Sequence, residues 1–350
     1  MSAEASNFEY VTARVRNRRA MLFDEEEYNN LLRMGTGEIS RFMQETEYDR
    51  EIDALASRHS GVDLIEYALN QNLSRHFDDL LRWSEGKLYD QVARYLRKFD
   101  AWNIKTALRG VYTNADATEI SDDFIAAGEF SETRLERLQA ASEIEEIIDI
   151  LDDTIFSDGL EAAYEDYEES GLLVPLENAV DRAYYENLID QTSPGSQDRA
   201  TELYVEFLQA EIDFRNVRNS FRIARSGADI DPAEYYIEGG QLFTRAELRQ
   251  LISNIDEMIS FLRDSQYGDE LSEALEEVDD TESLMGFEHA LESALLKYSD
   301  HLSHVYPLSV CPVLAFILAK EREVNNIRAI ARGREAGLSR EEIEEELVQL

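Results

Sequence analysis

The sequence predicts an all-α protein. Apolar residues recur mostly three and four positions apart, as in "FTRAELRQLISNIDEMISFL" at 243–262, and strict alternation is rare. Only five prolines and sixteen glycines interrupt the 350 residues. This combination is typical of amphipathic helices that pack against one another.

Three helix starts share one pattern, a phenylalanine followed by a residue that can cap a helix. The pairs are Phe23–Asp24, Phe130–Ser131 and Phe243–Thr244. Aspartate, serine and threonine accept hydrogen bonds from the free N–H groups of a first helical turn. Glu27 and Glu247 complete capping boxes three residues after the cap, whereas Arg134 does not.

A second pattern consists of an apolar residue, a glutamate, any residue, an alanine and an apolar residue. It reads "IEYAL" at 65–69, "LENAV" at 176–180 and "FEHAL" at 287–291. Its glutamates are Glu66, Glu177 and Glu288.

A third pattern follows each glutamate by about 38 residues and is centred on an asparagine. It contains an acid three residues before the asparagine and bases two and six residues after it. The three copies are Asp100, Asn103, Lys105 and Arg109; Asp213, Asn216, Arg218 and Arg222; and Glu323, Asn326, Arg328 and Arg332.

Three landmarks that recur in one order at near-constant spacing indicate a triplication. Successive asparagines are 113 and 110 residues apart, far more than the period of a stacked solenoid repeat. Glycine, aspartate and proline replace helical periodicity at 113–121 and 226–236. We therefore expect three helical repeats, at 1–115, 116–231 and 232–350.

The repeated polar residues allow two interpretations. On a helix the acid, the asparagine and the following apolar residue share a face, and the two bases form a stripe on another face. These side chains could satisfy one another where helices cross within a repeat, or they could form a ligand or partner site used three times. The first interpretation predicts an ion pair in at least two repeats between the landmark glutamate and a base of the same repeat, for example Glu66 with Lys105 or Arg109.

The charge of the chain excludes some partners and indicates its environment. The net charge is −40, with five lysines, twenty-nine arginines and 74 acidic residues spread over the whole length. Such a surface repels nucleic acid and anionic lipid. Because molar salt screens this self-repulsion, the composition favours a halophilic cytoplasm.

Neither a catalytic nor a metal centre is predicted. Gly86–Lys87 is followed by Leu88 rather than by the serine or threonine of a P-loop, and His301 and His304 form only an isolated pair. One cysteine, Cys311, cannot build a disulfide or a thiolate metal site. The longest apolar run, 307–319, is too short to cross a bilayer and predicts a buried helix with Pro312 in its first turn. The N-terminus resembles no signal peptide.

The threefold pattern, closed by "LAKEREVNNIRAIARGREAGLSREEIEEELV" at 318–348, resembles the C subunit of the archaeal A-type ATP synthase, whose family includes the d subunit of vacuolar ATPases. The resemblance begins at "YVTARVRNRRAMLFDEEEYNNLLRM" (10–34), and "FDAWNIKTALRG" (99–110) supports it. The excess of acids resembles the haloarchaeal branch.

The resemblance implies a non-catalytic rotor part without cofactor, metal or small-molecule substrate. In this family three helical domains around a pseudo-threefold axis form a funnel. It sits at the cytoplasmic face of the membrane, on the rotor ring of proteolipid subunits, and receives the central stalk of subunits D and F. The landmark residues are then expected to be fold determinants. The alternatives are a free-standing helical scaffold and an all-α enzyme with a carboxylate-rich cleft.

Overall fold

A computed structural model describes residues 6–115, 120–121, 123–190, 199–226, 235–251, 254–269, 271–272, 275–276 and 284–348. The described residues are helical and contain no strand, which confirms the predicted all-α class. The helices are α1 (Phe8–Arg19), α2 (Glu25–Leu31), α3 (Thr36–Met43), α4 (Asp49–Leu55), α5 (Gly61–Trp83), α6 (Lys87–Leu96), α7 (Lys98–Thr113), α8 (Glu132–Ala140), α9 (Ile144–Ile150), α10 (Ser157–Ser170), α11 (Val174–Asp190), α12 (Arg199–Ser226), α13 (Arg245–Leu251), α14 (Ile255–Arg263), α15 (Leu284–Val305), α16 (Cys311–Ala336) and α17 (Arg340–Glu345).

The predicted caps start the helices that follow the three phenylalanines. Asp24 and Glu27 form a capping box before α2, and Thr244 and Glu247 exchange the same two bonds before α13. Ser131 accepts the N–H of Arg134 before α8 without a reciprocal bond, as the sequence predicted. These bonds satisfy N–H groups that have no partner within the helix.

The contacts between residues divide the chain into two compact units. The first contains residues 1–89, 224–226 and 251–350. At its centre α16 packs against α1, α5 and α15. Its apolar first half is buried, as predicted, and Pro312 lies in the first turn, where no N–H is needed.

The second unit contains residues 90–223 and 227–250. Here α7 takes the central position and packs against α8, α9 and α11, while α10 and α11 form an antiparallel pair. The central helix of each unit therefore carries one of the repeated asparagines. The two units do not coincide with the three predicted repeats, and the division at 1–115, 116–231 and 232–350 stays a prediction.

Candidate functional site

Each of the three asparagines binds the backbone of one residue that lies 21 or 22 positions further along the chain. Asn103 donates to the carbonyl of Ile125 at 2.8 Å and accepts its N–H at 2.9 Å. Asn216 does the same with Ile237, both at 2.9 Å. An amide side chain matches a peptide group because both carry one donor side and one acceptor side.

The third asparagine repeats this geometry at the other end of the chain. Asn326 donates to the carbonyl of Val348 at 3.1 Å and accepts its N–H at 3.0 Å. All three asparagines are buried, so water cannot replace these bonds. Each one fixes the segment that leaves its helix.

The three acids bind the backbone just ahead of a capped helix. Asp100 accepts the N–H of Glu129 at 2.8 Å and of Phe130 at 3.1 Å. Asp213 accepts two N–H groups in the same way, from Gln241 and Leu242, both at 3.0 Å. These acids thus hold the start of the following repeat.

Glycine makes the close approach of the aspartates possible. A Cβ atom on Gly128 would lie 2.1 Å from an oxygen of Asp100, and one on Gly240 would lie 2.1 Å from an oxygen of Asp213. The longer Glu323 reaches the N–H of Phe23, at 2.5 Å, in a segment that has no glycine there. The shorter aspartates thus need a glycine beside them, whereas the longer glutamate reaches its N–H group without one.

Burial dominates the titration of Asp100. It raises the pKa of this carboxyl to about 7, and the two backbone N–H groups only partly offset that effect. Because the native state holds the proton more tightly than the unfolded chain does, the contribution of Asp100 to stability is complete below its ordinary pKa of 3.8 and is lost as the pH rises through about 7.

Two of the three landmark glutamates pair with a base of a different predicted repeat, so the prediction of pairing within at least two repeats is wrong. Glu177 binds Arg109, and Glu66 binds Arg332 through both carboxylate oxygens. Glu66 makes no ion pair with Lys105 or Arg109 in the described part of the chain. The error has a physical reason. The helix of Asn103, α7, packs on α11, which carries Glu177, and the helix of Asn326, α16, packs on α5, which carries Glu66.

In two of the three copies, the first base contacts the glutamate helix one turn beyond the landmark glutamate. Lys105 lies 2.6 Å from Asp181, and Arg328 donates to Asn70 at 2.7 Å. Both partners stand four residues after a landmark glutamate. Both pairs are partly buried, and burial lowers the pKa of the Lys105 ammonium although Asp181 opposes that effect. They fix the register between the two helices.

Three landmark residues remain, Arg218, Arg222 and Glu288. Arg218 is half-buried, and Glu288 likewise. The side chain of Arg222 lies outside the described residues.

A buried ionic cluster in the first unit was not predicted. Lys320 and Glu323 are fully buried, and the Lys320 ammonium lies 2.8 Å from Glu323 and also contacts Glu47. The Tyr48 hydroxyl donates to Glu323 at 2.6 Å and accepts from Lys320 at 2.8 Å. The one available signal was a lysine, rare in this chain, directly after an apolar run.

His76 closes this cluster on its other side. Its Nε2 lies 3.1 Å from Glu47. Burial lowers the pKa of His76 to about 4, so the ring is neutral at neutral pH. Burial alone would raise the pKa of Glu47, but His76 and Lys320 outweigh it and bring that pKa to about 2.

A fourth repeated feature was not predicted either. A hydroxyl caps the end of a helix by donating to a carbonyl three residues back at 2.7 Å, and it accepts the N–H of a buried aromatic residue two positions on. The pairs are Thr46–Tyr48, Thr154–Phe156 and Ser265–Tyr267.

The asparagine bonds can be tested by substitution. Asn103→Leu should lower the free energy of unfolding by about 2–5 kcal/mol, because it leaves the buried N–H and carbonyl of Ile125 without partners. Chemical denaturation in high salt measures the loss. Asn325→Leu is a matched control on an exposed position of α16 and should change stability by less than about 0.5 kcal/mol. A loss equally small for Asn103→Leu would contradict the proposed importance of the bond.

Within the described residues, no group of three or more histidine, cysteine or acidic side chains could hold a metal ion. No described helix combines the length and apolar character needed to cross a membrane. The repeated polar groups bind backbone and one another.

These features define an all-helical protein with an internally repeated set of buried polar contacts. Residues 11–346 match the family described as ATP synthase (C/AC39) subunit, and the chain belongs to this family.

Relatives match over essentially their full length. The chain is 61% identical over 345 residues to the C subunit of the A-type ATP synthase of Haloferax volcanii, covering 99% of this chain and 98% of that protein. It is 59% identical over 352 residues to the protein of that name from Halobacterium salinarum, with full coverage of both. A more distant relative of the same name, from Methanococcoides burtonii, is 37% identical over 99% of this chain and 96% of its own. The protein is therefore an ATP synthase subunit with haloarchaeal relatives, as the resemblance predicted.

Proposed function

We propose that the protein is a non-catalytic rotor component of a proton- or sodium-translocating A-type ATP synthase. It links the membrane ring of proteolipid subunits to the central stalk of subunits D and F and transmits torque for ATP synthesis. The observation that carries this proposal is the match to the C subunit of an A-type ATP synthase over 99% of the chain.

The repeated contacts support a mechanical role. In each repeat a buried asparagine ties its helix to a segment 21 or 22 residues away, and a buried acid ties it to the start of a capped helix. Buried polar bonds together with close packing resist deformation. We propose that the fifteen landmark residues are fold determinants of three helical domains arranged as a funnel around a pseudo-threefold axis.

Ion pairs between different predicted repeats also support a mechanical role, because they join segments that are distant in the sequence. Arg109 of the first repeat holds Glu177 of the second, and Arg332 of the third holds Glu66 of the first.

We place the protein at the cytoplasmic face of the membrane as a peripheral component. Because exposed ion pairs are screened in molar salt, apolar contacts should carry its binding to the stalk and ring. Tyr112, Leu172 and Val174 are exposed, and the Tyr112 hydroxyl donates to the carbonyl of Gly171 at 3.2 Å, so these apolar groups lie near one another. They are candidates for such a contact.

Omission of this protein from a reconstituted complex tests the proposal. Without it, ATP hydrolysis in the head should continue while ion pumping falls to background, because no part joins the stalk to the ring. Adding back the wild-type chain should restore pumping. Parallel assays of phosphate release and ion uptake in vesicles give both quantities.

Three results would contradict the proposal. One is full coupling in the complex that lacks this protein. Another is hydrolysis of ATP by the purified chain alone, which would favour an enzyme. The third is a pull-down in high salt that recovers no other part of the ATP synthase, which would favour a free-standing scaffold.

A further inference from the structure

Arg322 is a buried cation without a carboxylate partner. Only 8% of its surface is exposed, and it makes no ion pair within 4 Å with any described residue. Its Nε is buried and has no hydrogen-bond partner. A buried charge in that situation is costly unless a counter-charge reaches it.

Glu323, the next residue along the chain, acts on Arg322 as a negative charge, but the two side chains form no direct ion pair. One of its oxygens accepts the N–H of Phe23, and the other binds both Tyr48 and Lys320. The acceptor capacity of this carboxylate is directed into the cluster around Lys320 and away from Arg322.

The hydroxyl of Tyr28 lies beside Arg322 and Asn326. It is also buried and makes no well-formed hydrogen bond. Burial lowers the pKa of the Arg322 guanidinium and raises that of the Tyr28 hydroxyl. The Tyr28 oxygen and the Asn326 side chain are the nearest groups that could bond to this pair. The Nε–H of Arg322 and the hydroxyl of Tyr28 nevertheless have no well-formed hydrogen bond.

The other two repeats show that the fold does not require these donors. Four residues before the asparagine they carry Phe99 and Ile212 in place of Arg322, and five residues after the phenylalanine they carry Leu135 and Leu248 in place of Tyr28. All four apolar side chains are buried. Tyr28 of the first predicted repeat and Arg322 of the third thus form a polar pair at two positions that are apolar in the other copies.

We propose that Arg322 and Tyr28 bind a small inorganic anion of the size of chloride. The anion accepts hydrogen bonds from the guanidinium and the phenol and neutralises the buried charge. Arg19 acts on Arg322 as a further positive charge, whereas Glu323 acts on both groups and Glu27 acts on Tyr28 as negative charges. The attraction for an anion therefore comes from the Arg322 guanidinium itself. The burial of Arg322 favours a monatomic ion over a side chain of another protein, which could not enter without opening the contact between α2 and α16.

Bromide provides a direct probe, because it replaces chloride and scatters anomalously. Crystals of the full chain grown or soaked in potassium bromide should show an anomalous peak within hydrogen-bond distance of Arg322 and Tyr28. In solution the ³⁵Cl resonance should show excess line width, a part of which is lost in the variant described next.

The chain itself supplies the matched variant. Tyr28→Leu/Arg322→Ile installs the pair found at Leu248 and Ile212, which is compatible with a folded repeat. It should lose the bromide peak. It should also lose the part of the melting-temperature rise that potassium chloride gives over an equal molarity of potassium glutamate, since a ligand of the native state stabilises it by mass action.

The outcomes separate clearly. A peak at the site in the wild type that disappears in the variant supports the proposal. Absence of the peak in wild-type crystals, or an equal preference for chloride in the two proteins, overturns it. Should the double variant fail to fold, Arg322→Gln removes the charge while retaining a polar side chain, and the wild-type bromide experiment remains decisive by itself.

Discussion

Lys320→Met should lower the free energy of unfolding by about 3–5 kcal/mol, because removing one member of a buried ion pair leaves its partners uncompensated. The ammonium group is fully enclosed and contacts Glu47, Tyr48 and Glu323. It also lies 4.2 Å from the ring centre of Tyr48. Methionine preserves the apolar length of the side chain, so the loss measures the charge rather than a cavity. Denaturant unfolding at a fixed high salt concentration gives the value.

Two further variants show whether the effect belongs to the buried charge. Arg332→Met removes the more exposed partner of Glu66 and should cost less than about 1 kcal/mol. Glu47→Gln combined with Lys320→Met removes one of the uncompensated carboxylates and should recover part of the loss. A single Lys320→Met variant as stable as Arg332→Met would refute the role given to the cluster.

The sequence was sufficient for the features that depend on nearby residues. Helix periodicity predicted the all-α class, and the capping boxes at Asp24 and Thr244 form as expected. A cap is decided within about four residues, so its chemistry can be read without knowledge of the fold.

The partners of the landmark residues could not be read in this way. The spacing of Glu66 and Lys105 predicted a pair within one repeat, yet Glu66 binds Arg332, 266 residues away. The spacing of these residues in the sequence is the same whether a glutamate pairs within its own repeat or with a different repeat. Only the packing of α16 on α5 distinguishes these two arrangements.

The burial of the Lys320 charge could not be predicted from the sequence either. Lys320 follows an apolar run, but its partners Glu47 and Tyr48 lie more than 270 positions away, at 273 and 272 residues. In a chain with 74 acidic residues, a single glutamate carries no signal of its own. Comparison of equivalent positions in the three copies becomes informative once the structure shows which residues are buried. Arg322 and Tyr28 are recognised as unusual only because the equivalent positions of the other copies hold apolar residues.

Removal of salt should unfold the isolated protein. With a net charge of −40, folding brings like charges together, and the screening length grows from ~3 Å at 1 M to ~30 Å at 0.01 M salt. Part of this charge is concentrated on α10, where Glu161, Glu165, Glu168 and Glu169 are exposed. Circular dichroism at 222 nm along a titration from molar to millimolar potassium chloride should show loss of most of the helical signal.

A charge-reversal variant identifies repulsion as the cause. Changing these four glutamates to lysine moves the net charge from −40 to −32, since each substitution contributes two units, and should shift the unfolding midpoint to lower salt. Aspartate at the same four positions preserves the charge and should leave the midpoint nearly unchanged. Potassium glutamate should support folding as potassium chloride does, because screening does not depend on the occupant of an anion site. An unchanged helical signal and melting temperature down to millimolar salt would show that self-repulsion does not govern the stability of this protein.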